Sequence, residues 1–293
     1  MPDLTGRRIA ITGANSGIGK VCTRELAREG AEVLMICRSQ ARAESARREI
    51  LAQVPDAKLT IHLCDMASQA SIQACGLALR EQYDALDALL NNHGAMFGDR
   101  RLTEDDLEMT FAVDHLGYLL LTHYLLDLIR AGSVKRIVNV SSEAHRFVKS
   151  VDWDNLQGER RYTEFGAYGL AKLGNLYFTR ELARRIKPEG ITVNALHPGF
   201  VASNFGKGSS LVVRLLMPLM KLLAISPEKG AETSLYLLRS DEVADITGAY
   251  FKDQQKVHPS GLAQLDDLTQ QFWQHSLQLC GLKAFGQVPQ PQT

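Results

Sequence analysis

The segment Thr12-Gly13-Ala14-Asn15-Ser16-Gly17-Ile18-Gly19 follows the apolar run Ile9-Ala10-Ile11 and opens a stretch of helical apolar spacing. Three glycines between a strand and a helix suit an ordinary glycine-rich turn as well as a phosphate loop, and their position directly after the first strand favours the phosphate loop of the first βα turn of a parallel sheet. Gly13 suits the tight turn, Gly17 lets backbone approach a pyrophosphate, and Gly19 permits close packing of helix on sheet. The helix N-terminus then offers unpaired N–H groups and the positive end of its dipole to the phosphates. Asn15, Ser16 and Ile18 complete the loop as candidate cofactor contacts.

The rest of the chain repeats that alternation. Short apolar or β-branched runs at 9–12, 32–37, 59–63, 88–91 and 136–140 read as strands, and 192–196 and 248–251 add the last two. Between them, 21–29, 41–53 and 68–83 carry apolar residues at helical spacing with charged outer faces. Residues 104–129 and 165–186 predict two long helices. This is the pattern of βαβ units and a doubly wound, parallel, seven-stranded α/β sheet with helices on both faces. At 293 residues the chain is long enough to bury a large core and is expected to form a single domain over 1–283. A further helical stretch, 262–279, has no assigned role, and the Pro- and Gln-rich residues 284–293 are expected to be a disordered tail.

Lys plus Arg equals Asp plus Glu at 33 each, so no global field recruits nucleic acid or an anionic membrane. The five cysteines and eight histidines are scattered without CxxC or HExxH spacing, and no metal site is expected. The N-terminus reaches its first apolar strand at once, leaving no room for a signal peptide or spanning helix, and this predicts a reducing, cytoplasmic location.

Tyr168 and Lys172 stand four apart on a predicted helix, hence on one face one turn apart. A lysine cation that close is expected to favour the phenolate and lower the tyrosine pKa from its ordinary value of about 10. Such a pair supplies an acid and a base. A hydrolase built on Ser142 and His145 is disfavoured, because the chain has no GxSxG elbow and residues three apart at a strand exit rarely form a nucleophile and base.

Taken in order, Thr12 to Gly19, Asn91-Asn92-His93-Gly94, Val140-Ser141-Ser142 and Tyr168-Gly169-Leu170-Ala171-Lys172 resemble the short-chain dehydrogenase/reductase family, over residues 8 to about 255. The resemblance implies a Rossmann-like fold and hydride transfer between a nicotinamide and a carbonyl or alcohol. It implies that Tyr168 exchanges a proton with the substrate oxygen, that Ser142 holds that oxygen, and that Lys172 also binds the nicotinamide ribose. Of the two serines, the family pattern selects the second. Asp65 and Met66 resemble the family's adenine-holding pair. Asn91 to Gly94 resemble its Asn-Asn-Ala-Gly segment, with His93 in the alanine's place; a neutral side chain at the strand end is the expectation there. Pro198, Gly199, Val201 and Ser203 resemble the loop that holds the carboxamide. Where the family shows Val-Asn-His-Leu-Gly and counts the asparagine as a fourth catalytic residue, this chain reads Val113-Asp114-His115-Leu116-Gly117. If Asp114 ionises close to Lys172 it offsets the lysine's pull on Tyr168, and the sequence leaves open whether the rate falls, shifts to higher pH or stays the same.

An acidic residue at the end of the second strand would accept a free ribose 2′-hydroxyl, whereas an arginine pairs with a 2′-phosphate. Here the strand ends Cys37-Arg38, with Arg42 following. The expected cofactor is NADP(H), with Arg38 as the phosphate clamp. Within the family, the sequences around Ser142, at Asn155-Leu156 and at Ala195 to Gly199 look most like retinol dehydrogenases and related carbonyl reductases, and imply a small hydrophobic aldehyde, ketone or alcohol as substrate. A steroid or secondary-alcohol dehydrogenase is the alternative, and a catalytically impaired NADP(H)-binding regulator is an alternative of another class. The apolar residues 204–225 fall where the family places its substrate lid, and the same composition suits a dimer contact or a peripheral membrane contact. By the same resemblance, the two long helices imply a homodimer or homotetramer.

Overall fold

The computed structural model describes residues 3–201 and 224–288. Its centre is an eight-stranded sheet in the order β3-β2-β1-β4-β5-β6-β7-β8. The strands are β1 (Arg8–Thr12), β2 (Glu32–Cys37), β3 (Lys58–Leu63), β4 (Ala88–Asn91), β5 (Arg136–Val140), β6 (Thr192–His197), β7 (Tyr250–Lys252) and β8 (Gln255–Val257). The first seven run parallel. The strand order reverses between β1 and β4, and that switch point opens the crevice in which doubly wound sheets bind their ligands, beyond the carboxyl ends of the strands.

Strand alternation sends one set of side chains to each face. Ile9, Ile11, Val33, Met35 and Leu90 pack on one side with the inner faces of α1 (Gly17–Arg28), α2 (Gln40–Leu51) and α7 (Pro227–Arg239). Ala10, Leu34, Leu89, Ile137 and Val193 pack on the other with α3 (Gln69–Gln82), α5 (Gly117–Ala131), α6 (Glu164–Ile186) and α8 (Asp266–Leu279). Both layers are closed by apolar burial, which is why these strands read as nearly continuous apolar runs.

Four expectations are corrected. The seven-stranded sheet has an eighth strand, because Asp253 and Gln254 both take left-handed φ (+50° and +62°) and fold β8 back antiparallel on β7. A two-residue turn with both central residues left-handed is the hairpin geometry usually marked by Asn-Gly, and Asp-Gln does not advertise it. The long helix expected over 104–129 starts instead with α4 (Met109–Phe111), continues through a π-helical turn (Ala112–Leu116) and becomes regular in α5. Asp106 breaks the earlier turn at φ +57°, and the buried Glu108 carboxylate accepts from the Thr110 and Phe111 N–H groups at 2.9 and 2.7 Å, ending the helix as an N-cap does. In the segment expected to be a disordered tail, Phe285 packs on Trp273 with centroids 4.9 Å apart and the Gly286 N–H donates to His123 Nδ1 at 2.9 Å. Residues 284–288 are therefore anchored, and 289–293 lie outside the described residues. The stretch 262–279 also divides into a 3-10 turn (Leu262–Gln264) and α8.

α8 lies on α6. Phe272 and Trp273 meet Tyr177 and Phe178 at centroid distances of 5.2 and 5.9 Å, so the outer face of α6 and, through Phe285 and Gly286, the end of α5 are covered by the chain's own C-terminal segment. Gly174 marks the closest approach: a Cβ there would stand 2.8 Å from Phe272 Cε1 and 2.9 Å from His115 Cγ. Alanine would add about 1 kcal/mol of helix propensity, but forcing a methyl between two buried rings costs about 1–3 kcal/mol. Gly174→Ala should therefore lower the unfolding free energy in urea by up to about 2 kcal/mol; a gain in stability would show that α8 can withdraw freely.

Candidate active site

The loops after β1, β4, β5 and β6 meet at the carboxyl edge of the sheet. The first is locked to the second by Thr12, whose Oγ1 accepts from the N–H groups of Asn92 and His93 at 2.8 and 2.9 Å, while Asn92 Nδ2 donates to the Thr12 carbonyl at 2.9 Å. Gly13 (φ +67°) and Gly17 (φ +51°) make the turn. A Cβ on Gly19 would lie 2.4 Å from the Gly13 carbonyl oxygen and 2.7 Å from Asn92 Nδ2, so no other residue fits. Ser16 stands at the N-cap of α1 in extended conformation with no side-chain cap bond, which leaves the first-turn N–H groups for an anion. The loop is a cradle of the kind a dinucleotide pyrophosphate fills. Asn92 is absent from the residues singled out in the sequence, although its segment carried the family resemblance; its amide shapes the loop from the neighbouring strand.

At the adenosine end, Arg38 and Arg42 are exposed, and neither is ion-paired among the described residues. Their charges, with those of Lys172 and Asp65, converge on His93. Burial, Lys172, Arg38 and Arg42 press its pKa down to about 4 against the opposing Asp65, which holds the imidazole neutral. Asp65 is tied down by accepting from the Ala67 N–H. Met66 is buried behind it against Gly117. Asn91 turns its side chain away from the crevice: Nδ2 donates to Asn139 Oδ1 at 2.9 Å and Thr122 Oγ1 at 3.0 Å, a buried polar ladder that ties β4 to β5 and α5.

The candidate catalytic residues Ser142, Tyr168 and Lys172 come together through close packing of α6. Thr163 caps the helix by accepting from the Gly166 N–H, which sets Tyr168 in the second turn and Lys172 below it. A Cβ on Gly169 would stand 2.8 Å from the Ala144 carbonyl oxygen, so the 3-10 turn that follows Ser142 lies directly on the helix. Tyr168 is hydrogen-bonded to the Ser142 side chain. The Ser141 hydroxyl instead donates to the Lys172 carbonyl at 2.8 Å, a tie between β5 and α6.

Lys172 is almost wholly buried. Its Nζ lies 3.2 Å from Asp114 Oδ2, 3.4 Å from the Val140 carbonyl oxygen, and 5.4 Å from the ring centroids of Tyr118 and Tyr168. Asp114 is fully buried, and its Oδ1 accepts from the Ala95 N–H at 2.7 Å. Burial raises the Asp114 pKa to about 6 against the pull of Lys172 and the Ala95 N–H. Because this value exceeds the ordinary carboxylate value, the neutral acid stabilises the fold at low pH and that contribution is lost as pH rises through about 6; above it the carboxylate persists as the partner of the ammonium. Tyr168 departs from expectation: burial, and then the Asp114 charge, push its pKa up, and the Ser142 hydrogen bond opposes them. The lysine one turn away does not pull the phenol down because its charge is matched at 3.2 Å by a carboxylate.

The fourth loop begins at Pro198. Gly199 has φ +87°, and a Cβ on it would meet Ile225 Cδ1 at 2.5 Å. Val201 pairs with Ile225 in a parallel bridge and, with Ile18 of the phosphate loop, packs on Gly230 of α7. Ser203 and residues 204–223 of the expected lid lie outside the described residues. Among the described residues, no helix is long and apolar enough to cross a membrane.

The short chain dehydrogenase family profile matches residues 7–211. Retinol dehydrogenase 13 of Homo sapiens is 37% identical, the alignment covering 98% of this chain and 88% of that protein. Retinol dehydrogenase 12 of Mus musculus is also 37% identical, over 96% of this chain and 88% of its own. Among solved structures, an uncharacterized protein from Mycobacterium Paratuberculosis superposes with a TM-score of 0.76 at 28% identity, covering 96% of each chain. Levodione reductase shares the fold, with a TM-score of 0.67 at 22% identity over 84% of this chain and 95% of its own. With a phosphate cradle, a serine–tyrosine–lysine cluster and full-length relatives in agreement, this chain belongs to the short chain dehydrogenase family of nicotinamide-dependent oxidoreductases and is retinol dehydrogenase-like within it.

Proposed function

We propose that the chain is an NADP(H)-dependent oxidoreductase that interconverts a hydrophobic aldehyde or ketone and its alcohol. The observation that carries this reading is the convergence of Ser142, Tyr168 and Lys172 at the carboxyl edge of the sheet, with Arg38 and Arg42, unpaired among the described residues, near enough for their charge to act with that of Lys172 on His93. When bound, the nicotinamide supplies or takes up the hydride at the carbonyl carbon. In the reducing direction the Tyr168 phenol donates its proton to the carbonyl oxygen, and Ser142 donates a hydrogen bond to that same oxygen. Lys172 lies beneath the phenol, so the anion left on Tyr168 forms beside the Lys172–Asp114 ion pair and not beside an unmatched cation. The raised pKa of Tyr168 keeps it protonated at neutral pH, the state an acid needs, and makes the reverse reaction, which needs the phenolate, faster at alkaline pH.

Arg38 and Arg42 follow β2, where no carboxylate is available to accept a 2′-hydroxyl, and they favour a 2′-phosphate. The hydrophobic substrate is supported by three exposed aromatic side chains on the segments that carry the site: Phe147 at the end of the turn after Ser142, Phe165 three residues before Tyr168 on α6, and Phe200 after Gly199, at 66, 44 and 42% exposure. Retinol dehydrogenases at 37% identity support the same class. The buried Asp114–Lys172 pair favours a second reading, an NADP(H)-binding regulator with weak turnover; tight NADPH binding with no oxidation of NADPH across a panel of aldehydes, ketones and retinoids would select it.

Tyr168→Phe should cut turnover by about a hundredfold or more while NADPH binding, followed by fluorescence, stays near wild type; retained turnover would remove the tyrosine from the chemistry. Arg38→Asp should raise the Michaelis constant for NADPH by about tenfold or more, the worth of one charge-assisted hydrogen bond, and leave that for NADH little changed. Equal effects on both would defeat the 2′-phosphate assignment. Asp114→Asn removes the carboxylate that raises Tyr168, so the rising limb of the pH profile for alcohol oxidation should move about one unit toward acid, roughly 1.4 kcal/mol. Superimposable profiles would mean that the carboxylate has no electrostatic role.

A further inference from the structure

His145 is fully buried three residues after Ser142, and the reaction above gives it nothing to do. Both of its ring nitrogens are nevertheless committed. Nδ1 lies 2.6 Å from the Ser142 carbonyl oxygen, and Nε2 lies 3.0 Å from the Ser260 backbone nitrogen. A backbone N–H can only donate and a carbonyl can only accept, so the proton sits on Nδ1 and Nε2 is bare. One neutral tautomer satisfies both partners; a second ring proton would face the Ser260 N–H. The ring is wedged edge-on against Tyr250, centroids 5.3 Å apart, and Tyr250 donates to Glu143 at 2.9 Å. A second tie from the same turn to the same segment is made by Arg146, which donates to the His258 carbonyl at 2.8 Å. The Ser142 carbonyl accepts from this imidazole as well as, at 3.2 Å, from the His145 backbone N–H.

We propose that His145 is a positioning residue for the reacting serine, fastening the Ser142 backbone to the segment that follows β8 and thereby fixing the Ser142 hydroxyl against Tyr168. This rests on the reading of Ser142 as the group that holds the substrate oxygen. It also gives a function to the chain beyond β8, which the sequence left without one: through Ser260 that segment is joined by two hydrogen bonds to the backbone carbonyl of Ser142. Any displacement of Ser142 is a displacement of the oxygen-holding donor, and misplacement by about 1 Å can cost on the order of a hundredfold in rate.

The two bonds can be separated by substitution, because an asparagine amide occupies the place of Nδ1 and a glutamine amide that of Nε2. His145→Asn keeps a donor to the Ser142 carbonyl; His145→Gln keeps an acceptor for the Ser260 N–H and gives up the serine. Carbonyl reduction should fall by about tenfold or more in H145Q, in kcat and with the NADPH dissociation constant unchanged, and H145N should recover most of that loss. If His145 works through Ser142, S142A/H145Q should be no slower than S142A alone. Equal losses in H145N and H145Q, or a double variant slower by the product of the two single effects, would overturn the proposal and leave His145 a packing residue. S142A with wild-type turnover would instead overturn the assignment of Ser142 itself, so the two failures are distinguishable. The unsubstituted protein gives an independent check: 15N chemical shifts at neutral pH should show His145 protonated at Nδ1 and bare at Nε2, and the opposite tautomer would sink the proposal.

Discussion

A lysine ammonium buried as deeply as that of Lys172 has to be answered by charge or by hydrogen bonds, because moving it out of water without a partner costs several kcal/mol. The site is arranged around that requirement. Asp114 supplies the charge at 3.2 Å, the Val140 carbonyl a further acceptor, and the rings of Tyr118 and Tyr168 a pair of electron-rich faces. Asp114 is brought into place by a π-helical turn, a local widening of the helix that is common where a side chain must be redirected at a functional site. The carboxylate is in turn held by the Ala95 N–H beyond β4. One electrostatic constraint thus connects β4, the helix after it, β5 and α6.

Close approach is the second theme, and glycines set it. Gly19 against the Gly13 carbonyl brings α1 over the phosphate loop; Gly169 against the Ala144 carbonyl brings α6 over the serine turn; Gly174 admits Phe272 of the C-terminal helix against the back of the same helix. None of these positions could carry a Cβ without moving backbone or a buried ring. The distance between Ser142 and Tyr168 is therefore set by backbone packing, and the side-chain hydrogen bond between them completes an arrangement that is already in place.

Residues whose chemistry is local were legible in the sequence. The phosphate loop, the Tyr168–Lys172 spacing and the strand periodicities follow from neighbours a few positions apart. What was not legible depends on partners far along the chain. The expectation that Lys172 lowers the Tyr168 pKa failed because the phenol is buried and because Asp114, whose opposition to the lysine the sequence did suggest, stands 3.2 Å from the ammonium, a distance only the fold supplies. The start of the helix after β4 was misplaced because a glutamate, Glu108, serves as the cap in a position where serine, threonine or aspartate is the usual sign. The eighth strand was missed because three residues are too few to show a period, and its turn lacks glycine. The structural use of the Asn91 amide was likewise not legible, because it belongs to a ladder whose other members, Asn139 and Thr179, lie 48 and 88 positions further along the chain.

That ladder and the C-terminal segment explain why polar residues persist in so apolar a core. Asn175 donates to the Asp114 carbonyl at 2.8 Å and accepts from His115 Nδ1 at 3.1 Å, while His115 Nε2 meets Ser276 of α8 at 2.8 Å. Replacing these groups by hydrocarbon would lose little net hydrogen-bond energy, since each bond replaces one to water. It would lose direction, because apolar contacts tolerate sliding and a hydrogen-bonded amide or imidazole does not. The C-terminal segment reaches the site by two such directional routes, through Ser276 to the backbone of Asp114 and through Ser260 to the backbone of Ser142. Its apolar face holds it on α6, and its polar contacts fix the register at which it is held. A segment that did no more than cover Tyr177 and Phe178 would have no need to end both routes at carbonyls of the residues that flank the phenol.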